Sequence, residues 1–210
     1  MPAKEKTFVV ILVFVFLFSL TQYFVTRNKL SFSTGGDVYV EGFVGTLRLI
    51  NPVFADFNDA DRDAAELIFS GLIRYDPVQK NFFPDLAESF ERSRDGLTYT
   101  FKLRTNVVWH DGEAFTADDV IYTYKEVIQD PSFRNPVLRN SFEDIKIDKL
   151  DPERVAFVLP SPNSYFISHL TVGILPRHIL NETPVSSLDR SSFNKEPIGT
   201  GPYAFADGTY

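Results

Sequence analysis

Apolar residues are most concentrated near the start of the chain, where residues 8–25 (FVVILVFVFLFSLTQYFV) contain no charged side chain. A helix of about that length can just cross a bilayer. The short tail before it, with Lys4 and Lys6, favours an orientation that leaves the tail inside and exports the rest. We therefore expect residues 1–26 to be an N-terminal transmembrane anchor or signal segment, and residues 27–36 to be a polar tether.

A cleaved secretory signal peptide is the alternative for this segment. Residues 8–20 would then form its apolar region, and cleavage would need small residues at the −3 and −1 positions. The stretch LSFSTGG offers only Ser31 and Ser33 for those positions, which is a poor match. The pattern therefore favours the uncleaved anchor.

Short alternating runs after the tether predict several β-strands. One runs from residue 37 to the Asn51-Pro52 pair, a sequence typical of a strand that enters a turn. The others lie beside turn signals: residues 72–75 before Asp76-Pro77, residues 97–104 after Asp95-Gly96, and a hairpin that turns at Asp151-Pro152.

One helical pattern interrupts these strands. Apolar residues at helical spacing predict a helix over residues 62–70, with Asp59 or Asp61 as its N-cap and Gly71 as its C-cap. Together with the strands, it indicates an α/β or α+β chain with many short strands.

The stretch VVWHDGEAFTADDVIYTYKEVIQD, residues 107–130, predicts a strand, a turn and a second helix. Asp111-Gly112 is a turn signal directly after the strand TNVVWH. Thr116, followed three residues later by Asp119, is a variant capping box that opens a helix over residues 117–129. The apolar positions of this helix share one face, and they are Val120, Tyr124, Val127 and Ile128.

Composition narrows the possible functions. The chain has a formal net charge of −7 and no cluster of Lys and Arg, which argues against nucleic acid as a partner and against a basic membrane-binding face. It has no cysteine, so disulfides, thiolate metal sites and a cysteine nucleophile are excluded.

An extracytoplasmic hydrolase is the enzyme hypothesis, with His110, Asp111 and Glu113 as dispersed catalytic groups. Caps and turns already account for the acidic residues of this stretch, and no nucleophile elbow, Walker A loop or dinucleotide fingerprint is present. His169 and His178 lie far from His110 in sequence, with no metal-binding motif around them. We therefore expect a protein that is not an enzyme and uses neither a metal nor a cofactor.

Four sequence motifs occur in an order that resembles a known family. The blocks PDLAESF, DGLTYTFKLR, DGEAFTADDV and GTGPY, with ILPRHIL before the last, follow one another between residues 84 and 203. In that order and spacing they resemble the family 5 extracellular solute-binding proteins of ABC transporters, which include oligopeptide-, dipeptide- and nickel-binding proteins. The resemblance runs from Asp37 to Tyr210.

The resemblance implies an α/β fold, periplasmic-binding-protein-like type II with an additional α/β domain, that encloses a ligand between two lobes. Residues 37–70 would begin lobe I, residues 71–175 would form the additional domain, and residues 176–210 would return to lobe I. Family members are much longer, so this chain would stop before most of the second lobe. A truncated gene product, a fragment of a longer open reading frame and a deliberately shortened chain would all have such a sequence, and sequencing the DNA beyond codon 210 distinguishes them.

The implied function is capture of a peptide or similar small solute for import, with ABC transporter permease subunits as partners. The protein would be membrane-anchored and face the periplasm or cell exterior. A non-transport envelope protein that keeps the fold is a further alternative.

The resemblance also implies ligand-binding residues. In the family the loop after the first strand lines the cleft, and here it follows Asn51-Pro52. The candidates are Phe54, Asp56, Phe57, Asn58 and, within the glycines of GTGPY, Thr200. The alternative is that Asp56 and Asn58 are turn or cap residues, that a phenylalanine of this loop belongs to the core, and that Thr200 lies in a plain turn.

Overall fold

The structure is a computed structural model that describes residues 45–206. The predictions of an anchor, a tether and a strand up to residue 44 therefore lie outside the described residues. Within residues 45–206, no helix combines the length and apolar character needed to cross a bilayer.

The chain enters the described region as an extended segment, and this corrects the predicted strand before Asn51-Pro52. Residues 45–50 pair with no strand. The Arg48 amide donates to the Asp61 carboxylate at 2.7 Å, and the Ile50 amide donates to the Asn194 carbonyl at 3.1 Å. Because these backbone groups are satisfied by a side chain and a loop, they are not available to a β-ladder.

Helix α1, Asp59–Ile68, begins three residues earlier than predicted because its N-cap is Asn58. The Asn58 side chain accepts a hydrogen bond from the first turn, while Asp61 is buried and occupied by the Arg48 amide. The predicted C-cap Gly71 is also wrong, since the helix ends with Phe69 in an extended conformation.

Two antiparallel sheets follow. The strands of the first are β1, Ile73–Asp76, and β2, Asn81–Pro84. The second has the order β3-β4-β6-β5, with β3, Ala87–Arg92, β4, Thr98–Leu103, β5, Lys146–Asp151, and β6, Arg154–Val158. The predicted strand before Asp76-Pro77, the predicted strand after Asp95-Gly96 and the predicted hairpin that turns at Asp151-Pro152 are thus confirmed, the first two within one residue at each boundary.

Helix α2 confirms the capping prediction. It begins as an α-helix, Ala117–Ile121, and continues as a π-helix, Tyr122–Ile128. The Thr116 hydroxyl accepts from the Asp118 amide at 3.2 Å, and the Asp119 carboxylate accepts from the Thr116 amide at 2.9 Å. The predicted strand before it is reduced to one bridge between Val108 and Ala114.

The core lies where α2 packs against the four-stranded sheet. All four predicted apolar positions of α2 are fully buried. The Tyr124 ring lies 5.3 Å from Phe157 of β6 and 5.0 Å from Phe142, which follows helix α3, Pro136–Ser141. Buried aromatic pairs at these distances add to the hydrophobic stabilisation.

The last part of the described chain consists of short helices. They are the 3-10 helix Phe166–Thr171, α4, Arg177–Leu180, and the 3-10 helices Val185–Arg190 and Ser192–Asn194. The predicted domain boundaries after residues 70 and 175 stay predictions.

Candidate functional site

The loop before α1 presents only part of its predicted site to the surface. Phe54 is buried, with its ring 5.3 Å from Phe133, so it supports the loop from beneath. Asp56 and Phe57 lie in a short 3-10 helix, Ala55–Phe57, and both are exposed, with Phe57 66% accessible. Asn58 uses its carbonyl oxygen to cap α1 and its amide to donate to the Thr46 carbonyl.

A groove lies beside this loop and has about 450 Å³ of empty space. Its walls come from three places along the chain: the loop, one face of α1 and the segment that follows the 3-10 helix Phe166–Thr171. The lining residues that carry charge or aromatic surface are Asp56, Arg62, Glu66 and Phe69. A concave surface that combines apolar area with a few oriented polar groups has the character of a small-solute site.

The side chains that line this groove carry a net negative charge. Arg62 is paired with Asp59 at 2.8 Å, so its guanidinium is already neutralised on the helix surface. Asp56 and Glu66 make no ion pair with any of the residues 45–206.

A second groove continues from the first and has about 1260 Å³ of empty space. The two grooves share Glu66, Phe69 and Thr171, so they form one continuous surface. The second groove extends along β1 to Tyr75 and Asp85. Burial raises the pKa of the Asp85 carboxyl, and a hydrogen bond with Ser70 and the nearby Arg74 and Arg104 partly oppose that rise.

Sequence reasoning missed several of these groove residues. Arg62 and Glu66 could have been found, because residues four apart share one face of the predicted helix. Thr171 and Asp85 carry no such signal, since only the tertiary fold brings them beside α1.

Thr200 lies behind this surface. It is half-buried, does not line either groove, and its hydroxyl oxygen is buried with no hydrogen-bond partner among the described residues. Its neighbours Gly199 and Gly201 pack directly on the end of α1, where the Gly201 amide donates to the Ile68 carbonyl at 2.7 Å. A Cβ at Gly199 would lie 1.9 Å from that carbonyl oxygen, so the close approach requires glycine.

The residues of the hydrolase hypothesis are not assembled for catalysis. Both ring nitrogens of His110 bond to backbone groups of Gly199 and Gly201. Asp111 pairs instead with His178 at 2.9 Å, and Glu113 is exposed. Across residues 45–206, no group of three or more His, Asp or Glu side chains is placed to hold a metal ion.

The Asp111 pair also has an electrostatic consequence. Partial burial works to raise the pKa of the Asp111 carboxyl, but the hydrogen bonds from His178 and from the Glu113 amide outweigh it, so that the pKa is lowered. Asp119 behaves in the opposite way, because its burial raises its pKa despite hydrogen bonds from the Thr116 and Arg177 amides.

Solved structures with the same fold define the class of protein. NikZ from Campylobacter jejuni, crystallised in complex with Ni(L-His), matches 80% of this chain with a TM-score of 0.63 and 41% identity, over 32% of its own chain. The oligopeptide-binding protein AppA from Bacillus subtilis, in complex with a nonapeptide, matches 79% with a TM-score of 0.68 and 32% identity, over 34% of its chain. The fold is therefore that of the type II periplasmic binding proteins.

The family follows from the sequence comparisons. The model of the bacterial extracellular solute-binding proteins, family 5 Middle, matches residues 81–209. The curated AppA of Bacillus subtilis (strain 168) is 33% identical over 177 residues, which cover 82% of this chain and 32% of that protein. The chain belongs to the bacterial extracellular solute-binding proteins of family 5, and it spans about a third of the length of the curated relatives it matches.

Proposed function

We propose that this chain is part of the extracytoplasmic solute-binding component of an ABC transporter, and that it captures peptides or a similar small solute for import. Its partners would be the solute and the permease subunits of the transporter. The continuous groove beside α1 is the observation that carries this proposal, because it joins the exposed ring of Tyr75 to the carboxylates of Asp56 and Glu66, which form no ion pair with residues 45–206. AppA, a relative, is an oligopeptide-binding protein, which supports peptides as the solute.

Each groove residue has a physical role in this proposal. Asp56 and Glu66 line the groove and would accept hydrogen bonds from ligand amides or ammonium groups. Phe57, exposed next to Asp56 on the same 3-10 helix, would offer apolar contact beside the groove. A ligand on this wall keeps its outer side open to water. We therefore propose that a second lobe completes the site, since capture must offset the entropy that the ligand loses.

Peptide binding by the full-length gene product tests the proposal. We expect a pool of short peptides to raise its melting temperature, and we expect native mass spectrometry to show copurifying peptides. Phe57→Ala should weaken the effect by removing exposed apolar surface next to Asp56, whereas Val78→Ala, at an exposed residue of the β1–β2 turn, should not. The proposal fails if the protein carries no peptide and none stabilises it.

We also propose that residues 1–26 hold the protein at the membrane, facing the periplasm or cell exterior. A hydrophobic run is retained by burial, so the protein should stay with membranes through a high-salt wash that removes charge-bound proteins. A mature N-terminus near Thr34 would contradict the anchor and leave the binding function unchanged.

A further inference from the structure

His110 makes three hydrogen bonds to a segment about ninety residues further along the chain. Its amide donates to the Gly199 carbonyl at 3.0 Å. Its ring Nδ1 accepts from the Gly199 amide at 3.2 Å, and its Nε2 lies 2.9 Å from the Gly201 carbonyl oxygen. The His110 side chain is therefore hydrogen-bonded to both glycines of the GTG sequence, residues 199–201.

These contacts define the state of the imidazole. A nitrogen that accepts from an amide N–H carries no proton, so the ring hydrogen is on Nε2. Nε2–H then donates to the Gly201 carbonyl, and both ring nitrogens are satisfied in the neutral form. A phenylalanine of similar shape could make neither bond.

Residues 201–203 are also bonded to the end of α1. The amides of Gly201 and Tyr203 donate to the carbonyls of Ile68 and Leu67, at 2.7 and 3.1 Å. Beside these carbonyls lie Glu66 and Phe69, two of the residues shared by both grooves. The segment is thus hydrogen-bonded both to His110 and to the part of α1 that contributes Glu66 and Phe69 to the grooves.

Thr200, in the middle of this segment, does not hold it in place by its hydroxyl, which has no partner among the described residues. The ring of His110, in contrast, bonds to this segment through both of its nitrogens.

We propose that His110 is a positioning residue of the binding surface: its neutral Nε2–H imidazole holds residues 199–201 against the end of α1 and thereby fixes Glu66 and Phe69. This rests on the proposed function for its effect on ligand affinity. The geometric part, the tautomer and the fixed end of α1, does not depend on any ligand.

The chain offers conservative variants and a matched control. His110→Asn keeps an acceptor near the position of Nδ1, His110→Gln keeps a donor near the position of Nε2, and His110→Phe keeps neither. His178→Gln is the control, because His178 bonds to Asp111 of the same turn at 2.9 Å but not to residues 199–201.

The ligand-independent experiment is NMR on the full-length protein. His110→Gln lacks one imidazole, so comparison with the wild type assigns the ring signals of His110 by difference. We expect a protonated Nε2 and an unprotonated Nδ1 near neutral pH. We also expect faster hydrogen exchange of the Gly201 and Tyr203 amides in His110→Phe, an intermediate rate in His110→Asn and His110→Gln, and no change in His178→Gln.

An Nδ1–H tautomer, or exchange of these amides that is the same in His110→Phe as in the wild type, would overturn the proposal. If His110→Phe does not fold, the ring tautomer of the wild type and the exchange rates in His110→Asn and His110→Gln decide it.

The ligand arm uses the peptide pool that stabilises the wild type. His110→Phe loses the two part-buried hydrogen bonds of the ring, so its affinity for the peptides should be about tenfold weaker than that of the wild type. His110→Asn and His110→Gln should each restore part of this affinity. Equal affinity in His110→Phe and wild type overturns the positioning role while leaving the proposed function intact. A wild type that binds no peptide overturns the proposed function. The NMR results then test only whether His110 holds residues 199–201 against α1.

Discussion

Asn51 and Asn194 are joined by a side-chain hydrogen bond of 2.9 Å across 143 positions of the chain. Both residues are buried. The remaining side-chain groups of the pair are also used, since Asn51 Oδ1 accepts from the Val53 amide and Asn194 Nδ2 donates to the Leu188 carbonyl. This satisfied pair ties the loop that precedes the binding surface to the short helices near the end of the described chain.

Replacing either asparagine should destabilise the protein. Asn51→Ala leaves the buried side-chain oxygen Oδ1 of Asn194 without its donor, and a buried unsatisfied group costs about 1–3 kcal/mol. Urea unfolding of both single variants and the double variant measures this, and a coupling of at least about 0.5 kcal/mol is expected. Asn140→Ala, an exposed residue of α3, is the control. Additive losses would show that the two side chains do not interact.

The Asn51–Asn194 pair separates what local sequence predicts from what depends on the tertiary fold. Asn51-Pro52 correctly indicated a turn, because the preference of these residues is local. Nothing near Asn51 in sequence indicates Asn194 as its partner. The extended residues 45–50 were read as a strand because their alternation resembles one, yet their amides bond to Asp61 and a distant loop.

The capping box at α2 gives the second prediction. Thr116→Ala removes the hydroxyl that accepts from the Asp118 amide, and loss of such a cap costs about 1 kcal/mol. The free energy of unfolding from urea titration is the measurement, with Thr105→Ala as an exposed control outside the helix. An unchanged free energy of unfolding would mean that the cap is not used in solution.

Local signals of this kind predicted much of the fold. The capping box and the apolar face of α2 were both found from residues 116–128, because each depends on neighbours within two turns. The candidate surface was predicted only in part. Asp56 and Phe57 were named from a family resemblance, but Thr171 reaches the groove through tertiary packing that no local pattern encodes.

The close approach of Gly199 to α1 gives the third prediction. Gly199→Ala would place a methyl group 1.9 Å from the Ile68 carbonyl oxygen, and backbone atoms cannot yield as a flexible side chain can. We expect a loss of about 3 kcal/mol or more, or failure to fold.

Gly112→Ala is the matched comparison for this loss. Nothing lies within 4 Å of a Cβ there, so only the strain of φ +92° remains. The expected cost is about 1–2 kcal/mol. Melting temperatures of the two variants compare the effects, and an equal loss in both would argue against the steric explanation.

Burial of His169 gives the last prediction, a dependence of stability on pH. The residue lies on the 3-10 helix Phe166–Thr171, with its ring 6.2 Å from Phe142, and burial lowers its pKa below the ordinary value of 6.5. Because the unfolded chain then binds the proton more tightly, stability is fully present above pH 6.5 and falls as the pH drops through the lowered pKa.

His169→Gln has no imidazole to protonate. Urea unfolding between about pH 7.5 and about pH 5 should therefore show a smaller loss in the variant than in the wild type. All other titrating groups are common to both proteins, so their contributions cancel in the difference. Parallel pH profiles for the two proteins would show that His169 is as easily protonated in the folded state as in the unfolded chain.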